Sequence, residues 1–307
     1  MKNRQPPFLK KGDQVWIVSP AKALPENGIE QAIDILTRWN LEVSVGKHAS
    51  HKFGAFAGID SQRLEDVQTA INDTKAKAIF FARGGYGSVR ILQELNWESF
   101  KQNPKWLVGF SDITYFHLMA NWQLKTSTLH ATMPLEITRE PERQKAIESS
   151  KDFLFGFTQQ LSFGGHHLNK PGFETGEIVG GNLNILHGYF SGRNAQDFLK
   201  NKILFIEDVG EELYALDRML WNLKSSGTFD GLIAVLVGGF TNTKDTNSWF
   251  PNKTIEDLIL EVFSPLNIPI AFGIEAGHIK NNMPIPLGLT CEVEITFEKT
   301  TLNIKPS

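Results

Sequence analysis

WLVGFSDITYFHLM, residues 106–119, is the stretch on which the reading of this 307-residue chain turns. Trp106-Leu107-Val108 is an apolar run suited to a sheet, and Gly109-Phe110 leads out of it. Beyond Ser111-Asp112 the apolar positions are dense enough for a buried helix. A serine at so sharp a strand-to-helix junction projects its hydroxyl from the end of a sheet, beside backbone N–H groups that can receive an oxyanion. That setting suits a nucleophile. Ser and Asp are equally the residues that cap helices, so Ser111 or Asp112 could do no more than that. The decision rests on what surrounds the stretch.

Working outward, residues 15–18 (VWIV) form a continuous apolar run after the turn signal Gly12-Asp13, as expected of a strand buried on both faces. Residues 28–39 carry apolar side chains at Ile29, Ala32, Ile33, Leu36 and Trp39, a helical spacing, and 41–45 reads as a second strand. A second amphipathic helix is predicted over 61–71 with Ser61 as its cap, followed by a third strand at 76–82. That strand runs into Arg83-Gly84-Gly85-Tyr86-Gly87 and a further helix, and 127–133 reads as one more strand after the focal helix. Strands alternating with helices predict an α/β fold with a parallel sheet, whose sites form at the carboxyl ends of the strands. Both Gly84-Gly85 and Ser111 fall at such ends, which weighs against a mere cap.

The length suits two domains. The pattern predicts an amino-terminal α/β domain over 1–138 and a linker over 139–172, where charged residues give way to glycine, histidine and proline. A β-rich domain over 173–307 follows, with strands at 203–206, 232–237 and 269–272, helices at 213–223 and 254–263, and a closing hairpin at 292–304. A net charge of −3 and a pI near 6.3 offer no broad attraction for nucleic acid or anionic membrane. Cys291 is the only cysteine, the opening MKNRQPPFLKKGD has no apolar signal-peptide core, and no apolar run spans a bilayer. These features predict a soluble cytoplasmic protein.

Several residues have the chemistry of a site. Paired glycines at 84–85 expose backbone N–H groups to an oxyanion. They lack the Lys-Ser/Thr of a phosphate loop and the spacing of a dinucleotide fingerprint. Glu207-Asp208 end an apolar strand; side chains alternate along a strand, so at most one of the two faces a given site, and both could simply be solvated. His278 stands in the loop Gly277-His278-Ile279-Lys280-Asn281-Asn282, where it can be a base or an ordinary surface residue. His48, His51, His166 and His167 lack companion ligands at zinc-like spacing, so neither a metal nor another cofactor is expected.

Taken in order, these segments resemble the LD-carboxypeptidases, a serine peptidase family that also includes microcin-immunity hydrolases. The resemblance is carried by Lys11-Gly12-Asp13…Ser19-Pro20, Arg83-Gly84-Gly85-Tyr86-Gly87, Gly109-Phe110-Ser111-Asp112-Ile113-Thr114 and Gly180-Gly181-Asn182-Leu183. It continues through Leu204-Phe205-Ile206-Glu207-Asp208, Asp217-Arg218-Met219-Leu220 and Gly277-His278…Asn282…Pro284…Pro286-Leu287-Gly288. It implies a flavodoxin-like domain carrying Ser111 as nucleophile, and a barrel-like β-rich domain carrying His278 as base and Glu207 as the acid that orients it. The site would lie in the cleft between them, in a homodimer. The N–H groups of Gly85 and Asp112 would hold the oxyanion, and Arg83, Tyr86 and Asn182 would line the substrate. The implied substrate is a murein tetrapeptide cut between meso-diaminopimelate and terminal D-alanine, in cell-wall recycling. Two alternatives stand beside it. One is a hydrolase of a peptidyl-nucleotide antibiotic, for which Tyr189-Phe190 would offer the base a platform unless they are core. The other is a non-catalytic protein that binds peptides or nucleotides.

Overall fold

The computed structural model describes residues 3–305; Met1, Lys2, Pro306 and Ser307 lie outside them, and with them the first two residues of the polar opening stretch. The chain divides into two compact units, Met1–Thr158 with Lys280–Pro286, and Gln159–Ile279 with Leu287–Ser307.

In the first unit the strands are β1 (Gln14–Val18), β2 (Glu42–Val45), β3 (Ala76–Phe81), β4 (Trp106–Gly109) and β5 (Thr128–His130). Between and after them run α1 (Glu30–Arg38), α2 (Asp60–Asn72), α3 (Ser88–Leu92), α4 (Glu98–Gln102), α5 (Thr114–Leu118) and α6 (Pro141–Leu154). The sheet order is β2-β1-β3-β4-β5, and each of these neighbouring pairs is parallel. That is the flavodoxin-like winding, which places sites at the carboxyl edge. Every residue of β4 is buried, and only Lys77 of β3 is not, so the uninterrupted apolar runs follow from helices covering both faces.

In the second unit β6 (Gln160–Gly164), β7 (Gly172–Asn182), β8 (Lys202–Val209), β9 (Ala234–Thr241) and β10 (Ile270–Ala271) alternate in part with α7 (Leu183–Phe190), α8 (Gln196–Leu199), α9 (Leu213–Ser225) and α10 (Ile255–Phe263). After them β11 (Ile285–Leu287) joins β5 in the first sheet, and β12 (Thr290–Ile295) and β13 (Lys299–Ile304) close the chain as the predicted hairpin. The second sheet runs β10-β9-β8-β7-β12-β13-β6. It is parallel from β10 to β7 and antiparallel from β7 to β6. Lys170, in the segment between β6 and β7, bridges Ile270 on the opposite edge, which gives the sheet its barrel-like curl.

Two expectations differ locally. The stretch 139–172, read as a linker, is built into both units: it contains α6, which opens with Pro141 at its first position, and then β6. Its helix buries Ala146, Ile147, Ser150, Phe153 and Leu154 beneath an otherwise charged surface, so few apolar positions announce it. Helix α2 starts at Asp60 rather than after a Ser61 cap, because the Gln62 side chain accepts from the Ile59 N–H. Among the described residues no helix is long and apolar enough to cross a membrane.

Candidate active site

Ser111 takes φ = +64°, a left-handed conformation rare for a residue bearing a Cβ, with Phe110 alone between it and the end of β4. A tight helical turn, 111–113, starts there and continues into α5; neither carries a side-chain cap. The strand end is held by His117, whose Nε2 lies 2.8 Å from the Gly109 carbonyl oxygen. A carbonyl can only accept, so that nitrogen bears the hydrogen. Burial pulls the His117 imidazolium down to a pKa of about 4, which keeps this contact neutral.

Asp112 does not cap its own helix. Its buried carboxylate accepts at 2.8 Å from the backbone N–H of Ser88, the first residue of α3. Burial raises the Asp112 pKa, against the lowering effect of the Ser88 hydrogen bonds. The serine turn is thereby tied to the glycine loop that follows β3. The loop approaches closely: a Cβ built on Gly84 would stand 2.9 Å from Ser111 Cβ, 3.0 Å from its Oγ and 3.2 Å from the Asp112 nitrogen. Only a glycine leaves that space open. Gly85, with φ = +110°, comes next.

In the second unit Glu207 and His278 form a pair. Glu207, near the end of β8, is fully buried, and its Oε2 lies 2.7 Å from His278 Nδ1. Since a carboxylate accepts, Nδ1 carries the hydrogen in this contact, and in the neutral ring Nε2 is then the nitrogen without one. The Gly277 turn (φ = +109°) brings the histidine there, and a Cβ at 277 would sit 2.8 Å from Glu207 Oε2. The turn is fastened by Gly239 N–H to the Ala276 carbonyl and by Thr241 Oγ1 to the His278 carbonyl.

Asp208 turns the other way, as alternation along a strand requires. It accepts from Asn182 Nδ2 at 2.9 Å and from the Asn184 N–H at 2.9 Å. Burial first, and the neighbouring Glu207 charge second, raise its pKa to about 6.

Asn182 pairs in register with Glu207, and its Oδ1 caps α7 by accepting from Ile185 N–H. Arg83 donates through Nη1 to the Ala23 carbonyl, and Tyr86 is exposed with its ring 5.9 Å from that of Phe56. Tyr189 and Phe190 are buried in α7. His48 is engaged with Asp66, and His166 packs against His167. Among the described residues no three His, Cys, Asp or Glu side chains are grouped to hold a metal ion. Sequence reasoning had no signal for the roles of Asp208, whose donors Asn182 and Asn184 lie on another strand and helix, or of His117, which reaches back across its own strand-to-helix junction to Gly109.

Residues 15–131 match the LD-carboxypeptidase N-terminal domain, and residues 175–293 match the LD-carboxypeptidase C-terminal domain. The chain belongs to the LD-carboxypeptidase family. Among its relatives, the murein tetrapeptide carboxypeptidase of Pseudomonas aeruginosa is 29% identical, over 92% of this chain and 96% of that one. Solved LD-carboxypeptidase-like folds superpose closely. The muramoyltetrapeptide carboxypeptidase of Oxalobacter formigenes has a TM-score of 0.83 at 24% identity, covering 95% of this chain and 98% of that one. An MccF-like protein of Bacillus anthracis has a TM-score of 0.81 at 22% identity, covering 98% and 99%.

Proposed function

We propose that this peptidase-family chain is a serine carboxypeptidase. It cleaves the L,D bond between meso-diaminopimelate and the terminal D-alanine of murein tetrapeptides, as a cytoplasmic homodimer serving cell-wall recycling. The observation that carries the serine mechanism is the left-handed Ser111 at the carboxyl end of a parallel strand, with glycine kept against its side chain. The murein substrate is supported by the Pseudomonas aeruginosa relative's name.

In this reading Ser111, His278 and Glu207 act together. Ser111 Oγ attacks the scissile carbonyl while His278 Nε2 takes its proton. The buried Glu207 carboxylate holds the imidazole tautomer and stabilises the imidazolium that forms. The N–H groups of Gly85 and Asp112 receive the oxyanion, at roughly 3 kcal/mol per donor in comparable sites. His278 then passes the proton to the departing D-alanine nitrogen, leaving an acyl-enzyme. Water attacks the ester, gives a proton to His278, and the proton returns to Ser111 as the tripeptide carboxylate leaves. Arg83, Tyr86 and Asn182 are the proposed substrate-lining residues.

The test is D-alanine release from a meso-diaminopimelate tetrapeptide by wild type, Ser111→Ala and His278→Ala. Release by wild type, falling by about 10³-fold or more in both variants, is expected. No release by folded wild-type protein overturns the murein assignment. Undiminished release by Ser111→Ala overturns the serine mechanism.

A further inference from the structure

A cavity of about 400 Å³ lies within the first unit, walled by residues 22–25, by Lys52, Gly54 and Ala55, and by Arg83 and Leu135. Three of its walls are cationic: Lys22, Lys52 and Arg83. No carboxylate lines it. Neither lysine forms an ion pair among the described residues. The Glu136 carboxylate lies within electrostatic reach of Arg83. Arg83 Nη1 is spent on the Ala23 carbonyl, while its Nε, shielded from solvent, has no hydrogen-bond partner among the described residues. Three cationic side chains around one open pocket make a positive potential that favours an anion there.

The cavity begins where the nucleophile's surroundings end. Arg83 directly precedes Gly84, which abuts Ser111, and a Cβ on Gly85 would meet the Lys22 Cβ at 2.8 Å. The loop carrying Lys22 is fixed by Ala57 N–H to the Ala21 carbonyl and Ala23 N–H to the Ala55 carbonyl, so the lysine is presented from a braced backbone. A substrate cut one residue from its end has its α-carboxylate about one residue spacing, ~4 Å, beyond the scissile carbonyl. A carboxypeptidase must recognise that charge, since a free carboxylate is what separates a chain end from an internal bond.

We propose that Lys22, Lys52 and Arg83 form the subsite for the α-carboxylate of the residue that is released. This rests on the carboxypeptidase reading and adds to it the group that makes the enzyme act at a chain end. Lys22 is the residue to change, because it sits beside Gly85 and its side chain is exposed and holds no structural hydrogen bond.

The experiment compares kcat/KM for a tetrapeptide ending in D-alanine and for the same peptide ending in D-alaninamide. The proteins are wild type, Lys22→Gln, Lys22→Arg and Arg83→Gln. Wild type is expected to prefer the acid by about 30-fold or more, as the loss of a charge-assisted contact implies. Lys22→Gln lowers that preference about 10-fold, chiefly through KM, and Lys22→Arg restores most of it. A wild-type preference near one, or an unchanged preference in both Lys22→Gln and Arg83→Gln, overturns the subsite.

A third substrate with lysine in place of diaminopimelate lacks that residue's second carboxylate. If Lys22→Gln erases discrimination there instead, the assignment to the released residue is overturned. If wild type cleaves nothing, the function reading has failed on its own, and titration with N-acetyl-D-alanine judges the subsite. Saturable binding weakened by Lys22→Gln supports it, and no binding overturns it.

Discussion

The conformation of Ser111 predicts an inversion of the usual ranking of alanine and glycine. Ser111→Ala and Ser111→Gly both remove the hydroxyl, so their difference isolates the Cβ at φ = +64°. A left-handed conformation costs a residue with a Cβ about 1–2 kcal/mol. Glycine escapes that cost but loses roughly 0.4–1 kcal/mol through the greater freedom of its unfolded chain. It also forgoes the burial of one methyl group, at most ~0.8 kcal/mol and about half that at this half-buried site. The balance puts glycine between about 0.4 kcal/mol behind alanine and about 1.2 kcal/mol ahead. At an ordinary right-handed helix start, glycine would instead trail alanine by about 1 kcal/mol. Urea and thermal unfolding followed by fluorescence can read this, since Trp106 lies buried in β4, in the strand that leads into Ser111. One kcal/mol corresponds to roughly 2–4 °C for a domain of 150–250 residues. Ser111→Gly should therefore melt between about 2 °C below and about 5 °C above Ser111→Ala, with neither active. A glycine variant about 1 kcal/mol less stable than the alanine variant would refute the strained turn.

Two further perturbations follow from distances and charges. Gly84→Ala places a Cβ 2.9 Å from Ser111 Cβ, which must shift to accommodate it. A displacement of this kind costs about 10²-fold in turnover, and a variant retaining wild-type kcat would contradict the close approach. Asp208, its pKa raised to about 6 by burial and by Glu207, binds its proton more tightly folded than unfolded. That contribution to stability is complete below about pH 4 and is lost as pH rises through about 6. Asp208→Asn should flatten this fall by up to ~3 kcal/mol in urea unfolding between pH 4 and 7, and parallel profiles for the two proteins would refute it.

How much was legible depends on whether the deciding contact is local. The apolar runs of β3 and β4 could be read directly, because strands covered on both faces leave no polar alternation to find. The junction at Ser111 was equally visible, since glycine, serine and aspartate at a strand end leave few local conformations open. The partner of Asp112 was not: cap or tie depends on where Ser88 N–H lies, beyond the loop that follows the neighbouring strand β3. Helix α6 escaped because its buried stripe, Ala146, Ile147, Ser150, Phe153 and Leu154, is narrow and has a polar residue at its middle, amid many charged positions. Asn182 was expected to line the substrate, and its double employment as cap and as donor to Asp208 was not foreseen.

Glu207 and Asp208 show why adjacent acids need not share a job. Both are buried, and two charges so close would oppose each other. The fold separates them by what each side chain meets. Asp208 meets the Asn184 N–H at the start of α7, the Val209 N–H and the Asn182 side-chain amide, together insufficient to offset burial, so its pKa rises to about 6. Glu207 meets an imidazole, and it can do so because Gly238 and Gly277 present no side chains where its own carbons pass. A buried carboxylate is tolerated where a cation can form beside it. In the proposed mechanism His278 becomes that cation each time Ser111 gives up its proton, so the cost of burying Glu207 is offset most fully as the tetrahedral intermediate forms.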